Sequence, residues 1–199
     1  MRVFLFAAML EAKPFIVKSK AKRIMDKPFK VFSYGDDLIL ISGIGKGAAA
    51  MGAFFACETL KAHSIINCGA AGALKKGYSI GDILFPKKVI EIDRYTIPLG
   101  KPARYSLDPI DSPHCTLITR DIPATTAEDR DSLAQYGDII DMEGGAIAHG
   151  VSLFKKKVSC IKIITDSPEE NINILLSVKK QSVVLGDYLM DNREMLMSF

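Results

Sequence analysis

Three acidic residues, Glu11, Glu143 and Asp166, lie at points where predicted strands end. Glu11 follows the first apolar run, Glu143 opens a helical pattern after a short strand, and Asp166 follows a strand predicted over residues 158–165. An open parallel sheet binds its ligands beyond the carboxyl ends of its strands. Two carboxylates that meet there can divide acid and base work if their environments separate their pKa values. If the strands are parallel, we expect these acids to converge on one edge of the sheet.

Two glycine-rich segments also lie at predicted strand ends: Ser-Gly-Ile-Gly-Lys-Gly at 42–47 and Asn-Cys-Gly-Ala-Ala-Gly at 67–72. As turns, they would let a phosphate, a dinucleotide or ribose hydroxyls approach backbone N–H groups. A dinucleotide site needs an acid about 20 residues after its first glycines. Asn67 stands at that place, which disfavours a nicotinamide cofactor. Alternatively, the glycines supply only turns and close helix packing.

Each acid also has a purely structural interpretation. Asp166 precedes Ser-Pro-Glu at 167–169, a good helix start, so it could be an N-cap. Glu143 could complement the dipole of the helix that it opens. Gly144 and Gly145 argue against this second interpretation, because two glycines in a first turn cost about 2 kcal/mol unless something must pack closely.

The composition bounds the class of protein. The chain has 199 residues, 26 Lys+Arg against 23 Asp+Glu and a formal charge of +3, which is too balanced to indicate nucleic acid binding. No run approaches the roughly 18 apolar residues of a membrane-spanning helix. The N-terminal apolar run resembles a signal peptide, but Glu11 and Lys13 follow at once, so we predict a buried strand.

Cysteines and histidines give no sign of a disulfide framework or a metal site. The four cysteines are widely spaced, without a C-x-x-C pair: Cys57, Cys68, Cys115 and Cys160. The three histidines stand alone: His63, His114 and His149. We therefore predict reduced core thiols, a cytoplasmic protein and no bound metal.

Short apolar runs alternate with helical patterns, which indicates a single α/β domain spanning residues 1–199. Strands are predicted over 2–8, 29–34, 38–42, 64–68, 82–92, 115–119, 138–140 and 158–165. Helices are predicted over 46–61, 127–135 and 142–154 and from about Glu169 onwards, the last weakened by Gly186. Residues 93–113 hold four of the nine prolines and are predicted to be an irregular, lid-like loop. The cationic runs 18–23 and 155–157 are expected to be solvated surface.

Five segments, taken together and in this order, resemble the nucleoside phosphorylase and nucleosidase superfamily. They are Ser-Gly-Ile-Gly-Lys-Gly-Ala-Ala-Ala-Met-Gly-Ala at 42–53, Ile-Asn-Cys-Gly-Ala-Ala-Gly-Ala-Leu at 66–74, Gly-Asp-Ile at 81–83, Asp-Met-Glu-Gly-Gly-Ala-Ile-Ala-His at 141–149 and Ile-Ile-Thr-Asp at 163–166. The nearest groups are the methylthioadenosine/S-adenosylhomocysteine nucleosidases and the futalosine hydrolases. The resemblance implies one α/β domain around a mixed, mostly parallel, partly closed sheet flanked by helices. It also implies a homodimer that cleaves the N-ribosidic bond of a purine nucleoside without metal or cofactor.

The resemblance also implies roles for individual residues. Glu11 would activate water, Asp166 would protonate the leaving purine, and Met142 with Glu143 would hold the ribose. The substrate pocket would be completed by Ile44, Gly45, Ala70, Gly72 and Thr165. The ribose becomes cationic as the bond breaks, so a carboxylate near its hydroxyls would bind the transition state more tightly than the ground state.

Hydrolysis is favoured over phosphorolysis, because a phosphate site is generally built with arginine and no arginine lies in the loop after the first strand or in either glycine-rich segment, where Lys46 is the cation present. Three arginines elsewhere could still serve a phosphate: Arg94, Arg104 and Arg120. The segments Met-Glu-Gly-Gly-Ala at 142–146 and Thr-Thr-Ala-Glu-Asp-Arg at 125–130 resemble futalosine hydrolases more than methylthioadenosine enzymes, so the first expectation is futalosine or aminodeoxyfutalosine, in menaquinone biosynthesis. Methylthioadenosine or adenosylhomocysteine is the second, and a purine nucleoside phosphorylase the third. Ala70, where the family often has serine, motivates a fourth, a non-catalytic nucleoside-binding protein.

Overall fold

The structure is a computed structural model that describes residues 1–168, 173–197 and 199. These residues form ten strands and six helices. The strands are β1 (Arg2–Phe6), β2 (Lys22–Met25), β3 (Lys30–Tyr34), β4 (Asp37–Ile41), β5 (Ser64–Ala73), β6 (Ile83–Thr96), β7 (Lys101–Ser106), β8 (His114–Thr119), β9 (Ile139–Asp141) and β10 (Lys157–Asp166). The helices are α1 (Met9–Lys18), α2 (Lys46–Glu58), α3 (Ala127–Ala134), α4 (Gly144–Ser152), α5 (Ile174–Asp191) and α6 (Arg193–Met197).

Five strands close into a barrel. β5 pairs with β9, β9 with β8, β8 with β6, β6 with β10, and β10 returns to β5. β1 extends the sheet from β5 and is followed by β4, β3 and β2, while β7 pairs with β6. Parallel and antiparallel pairings are both present, which confirms the predicted single α/β domain with a mixed, partly closed sheet.

Helices cover both faces of the extended part of the sheet, and the two faces alternate along each strand. In β1, Val3 and Leu5 belong to the core cluster that includes α2 and α4, whereas Phe4 and Phe6 pack with α1 and α5. A strand buried on both faces has a nearly continuous apolar sequence, which β1 shows over residues 3–6. Gly186 in α5 has a packing function, because a Cβ there would lie 3.0 Å from the backbone nitrogen of Phe15 in α1.

The glycine-rich segment 67–72 is not a turn, contrary to the prediction. It lies inside β5, which continues to Ala73 and pairs with β10 and β1. Glycine and alanine have low β propensity, but propensity in a sheet mainly reflects how side chains pack on neighbouring strands. β5 is central and paired on both sides, so tertiary pairing overrides its composition.

The predicted irregular, lid-like loop at 93–113 is wrong for residues 93–106, whereas residues 107–113 are irregular as predicted. β6 continues to Thr96 and turns into β7, which pairs with it in antiparallel fashion. Proline is tolerated on edge strands, and Pro102 lies on β7, whose described partner is β6. Pro98 and Pro102 therefore belong to an edge hairpin, and Pro109 and Pro113 follow it.

The remaining differences lie near the chain termini. The hairpin of β3 and β4 around residues 35–36 is confirmed, but α1 and β2 were not predicted, so Glu11 lies in a helix and not in a loop. The predicted start of the last helix, Glu169, is outside the described residues, and α5 begins at Ile174. No helix among the described residues is long and apolar enough to cross a membrane.

Candidate active site

A cavity of about 460 Å³ lies beside the ends of β1, β5, β9 and β10, and all three predicted acids line it. Five of the six other predicted residues line it as well: Ile44, Ala70, Gly72, Met142 and Thr165. The sixth, Gly45, donates its backbone N–H to Glu143 Oε1 at 2.8 Å. The structure thus brings the predicted residues together at one place.

Glu11 is held at its position by backbone donors. It is the third residue of α1, and its Oε2 accepts from the N–H of Ala8, the residue that caps this helix. Its Oε1 accepts from the N–H of Ala70 in β5 at 2.8 Å. A Cβ on Gly69 would lie 2.7 Å from the same oxygen, so this close approach requires glycine. Burial raises the pKa of Glu11 in spite of these donors and of Lys162, which suits a base that must accept a proton near neutral pH.

Glu143 precedes α4 as its N-cap residue, yet its side chain does not cap that helix. The carboxylate turns towards the cavity and accepts from the Gly45 N–H. Burial, and secondly Asp141, raise the pKa of Glu143 to about 7, while Lys162 acts in the opposite direction. Hence Glu143 changes charge in the physiological range.

Asp141 serves the N-terminus of α4 instead of Glu143. Its carboxylate accepts from the Gly144 N–H at 2.9 Å and from the Thr119 hydroxyl at 2.6 Å, and it forms a 2.8 Å ion pair with Lys162. The side-chain hydrogen bonds to the first turn of α4 therefore come from Asp141 and not from Glu143. Sequence reasoning also missed Lys162, although a lone lysine in the apolar strand 158–165 was a usable signal.

Asp166 ends β10, and the described helix that follows it, α5, has another residue as its N-cap. Asn173 caps α5, where its side chain accepts from the Leu176 N–H at 3.1 Å. Asp166 instead accepts from the Thr165 hydroxyl at 2.9 Å and forms a buried ion pair with Arg130 of α3. A Cβ on Gly72 would lie 2.8 Å from Asp166 Oδ2, so this end of the cavity also needs a glycine in β5.

Arg130 was not predicted to be a site residue. It is 6% exposed, lines the cavity and donates from Nη1 to the carbonyl of Ala73 at 2.8 Å. The sequence 125–130 gives no sign that one of its charged residues turns inwards, because the exposed face of α3 is equally charged.

Apolar side chains make up most of the other lining: Ala7, Leu10, Ile44, Pro123, Ala124, Ile140, Leu175 and Val178. A drug-sized ligand typically needs a pocket of this kind, with a few placed polar groups. We refer below to the Glu end, defined by Glu11 and Glu143, and to the Asp end, defined by Asp166 and Arg130.

Three of the four cations considered for a phosphate site are engaged elsewhere, and the fourth, Arg104, does not line the described cavity. The Nζ atom of Lys46 lies 2.6 Å from Asp93 Oδ1 and 3.3 Å from Glu91 Oε1. Arg120 forms an ion pair with Asp129, and Arg94 donates to the Tyr105 hydroxyl. None of these three cations lines the described cavity.

The described residues contain no group of three or more His, Cys, Asp or Glu side chains arranged to hold a metal ion. All four cysteines are buried and free. Burial raises the pKa of Cys160 to about 12, so this thiol, which accepts from the Asn67 amide, stays neutral. The arrangement therefore offers carboxylates, one ammonium and one guanidinium for chemistry.

Comparison with known proteins gives a consistent result. The family described as "Phosphorylase superfamily" matches residues 6–120. A 5′-methylthioadenosine/S-adenosylhomocysteine nucleosidase of Buchnera aphidicola is 26% identical over 172 residues, covering 72% of each chain.

Solved structures share the fold over the whole chain. The 5′-methylthioadenosine nucleosidase of Arabidopsis thaliana superposes with a TM-score of 0.84 at 22% identity, covering 97% of this chain and 94% of that one. A futalosine hydrolase of Helicobacter pylori gives 0.84 at 16% identity, with 100% and 99% covered. The two solved enzymes carry different substrate names on one fold, so the fold alone does not distinguish between them.

Proposed function

Because the chain belongs to the phosphorylase superfamily, we propose that it is a nucleosidase, which hydrolyses the N-ribosidic bond of a 5′-modified purine nucleoside. The observation that carries the proposal is the meeting of Glu11, Glu143 and Asp166 at one cavity. The names of the sequence relatives support the same reaction class.

Each acid has a role that fits its surroundings. Glu11, whose pKa is raised by burial, takes a proton from the attacking water. Ionised Glu143 beside the ribose hydroxyls stabilises the positive charge that develops on the sugar. Asp166 passes a proton taken up from solvent to the departing purine and returns to the ionised form that pairs with Arg130, while the Thr165 hydroxyl fixes its carboxyl group in place. Proton transfers of this kind contribute about 10²–10⁴-fold each.

Water is a better acceptor here than phosphate. A phosphate site needs donors or cations that are not already neutralised. Lys46 is engaged by two carboxylates, and Arg130 is engaged by Asp166 and the Ala73 carbonyl. The other ionisable groups on the described lining are Glu11, Asp141 and Glu143, which would repel the anion.

The same charges bear on the 5′ group. A carboxylate there, as in futalosine, would meet an apolar lining whose one described cation, Arg130, is already paired. The uncharged methylthio group of methylthioadenosine fits this lining better. We therefore place methylthioadenosine first, S-adenosylhomocysteine second and futalosine third, which reverses the order expected from residues 125–130. The names of the sequence relatives favour the same order.

Product analysis tests the proposal. Purified protein is incubated with methylthioadenosine, adenosylhomocysteine, futalosine and aminodeoxyfutalosine, each with and without phosphate. We expect free adenine and methylthioribose from the first substrate, at a rate that phosphate changes by less than about twofold. A ribose 1-phosphate product and a rate that rises with phosphate would identify a phosphorylase. Nucleoside binding without turnover would identify a non-catalytic binding protein.

The expected homodimer is part of the proposal. Met51 and Phe54 on α2 are 67% and 52% exposed, and Leu153 after α4 is 69% exposed. Because α2 and α4 pack together, these exposed side chains belong to one region of the surface. Apolar side chains grouped in this way are typical of a protein interface. A monomer in analytical ultracentrifugation would contradict the expectation.

A further inference from the structure

Lys162 is a buried cation inside the barrel. It is 2% exposed, and the alternation of β10 puts it on the same side as Val158, Cys160 and Ile164, which belong to the core cluster of the barrel and α4. A buried ammonium is costly unless it is paired and hydrogen-bonded. Hydrophobic residues fill most of the space around it, so packing alone does not account for a lysine at this position.

The partner of Lys162 fixes the turn that carries Glu143. Asp141 Oδ2 lies 2.8 Å from Lys162 Nζ, and the same carboxylate accepts from the Gly144 N–H and the Thr119 hydroxyl. Asp141 therefore joins the ends of β8 and β9 to the first turn of α4. Met142 and Glu143 lie between these fixed points, so their place at the cavity depends on the ion pair behind them.

The charges near Lys162 come from several elements. Glu11 on α1, Asp141 on β9 and Glu143 at the start of α4 all interact with its ammonium, and so do the thiols Cys68 on β5 and Cys160 on β10. Burial raises the pKa of both thiols, so they stay neutral. Burial alone would lower the pKa of Lys162, but the carboxylates of Asp141 and Glu143 outweigh it and the pKa is raised. One ammonium thus faces three carboxyl groups among the described residues.

We propose that Lys162 is a positioning residue of the reaction: its ammonium holds Asp141 at the start of α4 and lets Glu143 bring a negative charge to the ribose. Without this cation, two carboxylates and the buried Asp141 would face one another, and Glu143 would take up a proton. The part of this inference that concerns turnover rests on the proposed function. The part that concerns the charge of Glu143 does not.

The two partners of the ion pair make the test decisive, because their charges act on Glu143 in opposite directions. In Lys162→Met, Asp141 keeps its Thr119 and Gly144 donors and its charge, so Glu143 should titrate about one pH unit higher than in the unchanged protein. In Asp141→Asn the ammonium remains, and Glu143 should titrate lower. In the double variant, which carries neither charge, the pH at which Glu143 titrates should lie between the values of the two single variants. The double variant should also fold if either single variant does not.

Two measurements separate the inference from the proposed function. Carbon-13 NMR titration of the glutamate carboxyls, with Glu143→Gln to identify the signal, reports the charge of Glu143 in the free protein whatever reaction it catalyses. In a plot of kcat/KM against pH, the acidic limb should shift to higher pH in Lys162→Met and to lower pH in Asp141→Asn. In Lys162→Arg, which keeps the positive charge, the limb should lie at the pH of the unchanged protein.

Equal titration of Glu143 in the unchanged protein and in both single variants would overturn the inference, and so would two single variants that lose activity with an unmoved pH profile. Opposite shifts in the NMR titration together with no turnover of any nucleoside would support the electrostatic role of Lys162 and refute the proposed function instead.

Discussion

The two ends of the cavity hold their acids by different means. At the Glu end, both carboxylates accept from backbone N–H groups, those of Ala8 and Ala70 for Glu11 and that of Gly45 for Glu143. At the Asp end, side chains hold the carboxyl group of Asp166, namely Arg130 and Thr165. Backbone donors are fixed by the fold, whereas side-chain donors can change by a single substitution. The Glu end is therefore tied to the architecture, and the Asp end can vary with the base that leaves.

The largest expected effect comes from replacing one acid at each end by its amide and measuring each variant on two substrates that differ in the leaving group. Glu11→Gln should lower kcat by about 10²–10⁴-fold on methylthioadenosine and equally on the p-nitrophenyl analogue of the same riboside, because both need an activated water. Asp166→Asn should lose about as much on the nucleoside but little on the p-nitrophenyl compound, whose leaving group needs no proton. Steady-state kinetics on the two substrates measures this difference.

The matched control is Glu58→Gln, which changes an exposed glutamate paired with Lys61 and should leave both rates unchanged. Thermal melting must accompany the kinetics, because Asp166→Asn leaves Arg130 buried without its partner, a change that typically costs 3–5 kcal/mol. Equal losses of Asp166→Asn on both substrates in a folded protein would remove its role as the acid.

The second prediction concerns stability at the Glu end. The pKa of Glu143 rises from an ordinary 4.5 to about 7 on folding, so the folded state binds more protons than the unfolded state between these values. The free energy of unfolding therefore falls as the pH rises through this window, by about 3 kcal/mol in total. Glu143→Gln keeps an acceptor for the Gly45 N–H and removes the charge, so it should be more stable than the unchanged protein at pH 8 and much less active.

Urea unfolding at pH 5 and pH 8 measures this effect. The gain from Glu143→Gln should be present at pH 8 and nearly absent at pH 5, where Glu143 is protonated in the folded protein. A variant that is less stable at both pH values would show that the carboxylate is not strained by its burial.

The contrast between the Glu end and the Asp end also explains which site residues could be predicted from the sequence. Glu11, Glu143 and Asp166 follow strands, and a strand end is visible in an apolar pattern, so their convergence was predictable once the strands were. Arg130 reaches Asp166 from a helix 36 residues earlier, and no periodicity marks an inward-facing arginine on a charged helix. Segment 67–72 was misjudged because glycine and alanine have low β propensity, whereas their smallness is what lets the two acids approach β5.

The smallest expected effect uses two glycines of β5, one at each end. A Cβ at Gly69 would lie 2.7 Å from Glu11 Oε1, and a Cβ at Gly72 would lie 2.8 Å from Asp166 Oδ2. Each substitution to alanine should displace one acid by less than an ångström and lower kcat by about tenfold. On the p-nitrophenyl riboside, kcat should fall in Gly69→Ala but stay nearly unchanged in Gly72→Ala.

Gly47→Ala is the control for this pair, because a Cβ there meets nothing within 4 Å and the residue lies in α2. Alanine should raise stability by up to about 1 kcal/mol at that position without changing either rate. If Gly69→Ala and Gly72→Ala gave the same loss on both substrates, the two ends would not act separately. Since the glycines are three residues apart on one strand, that outcome would mean that a shift of β5 itself, and not contact with one acid, sets the rate.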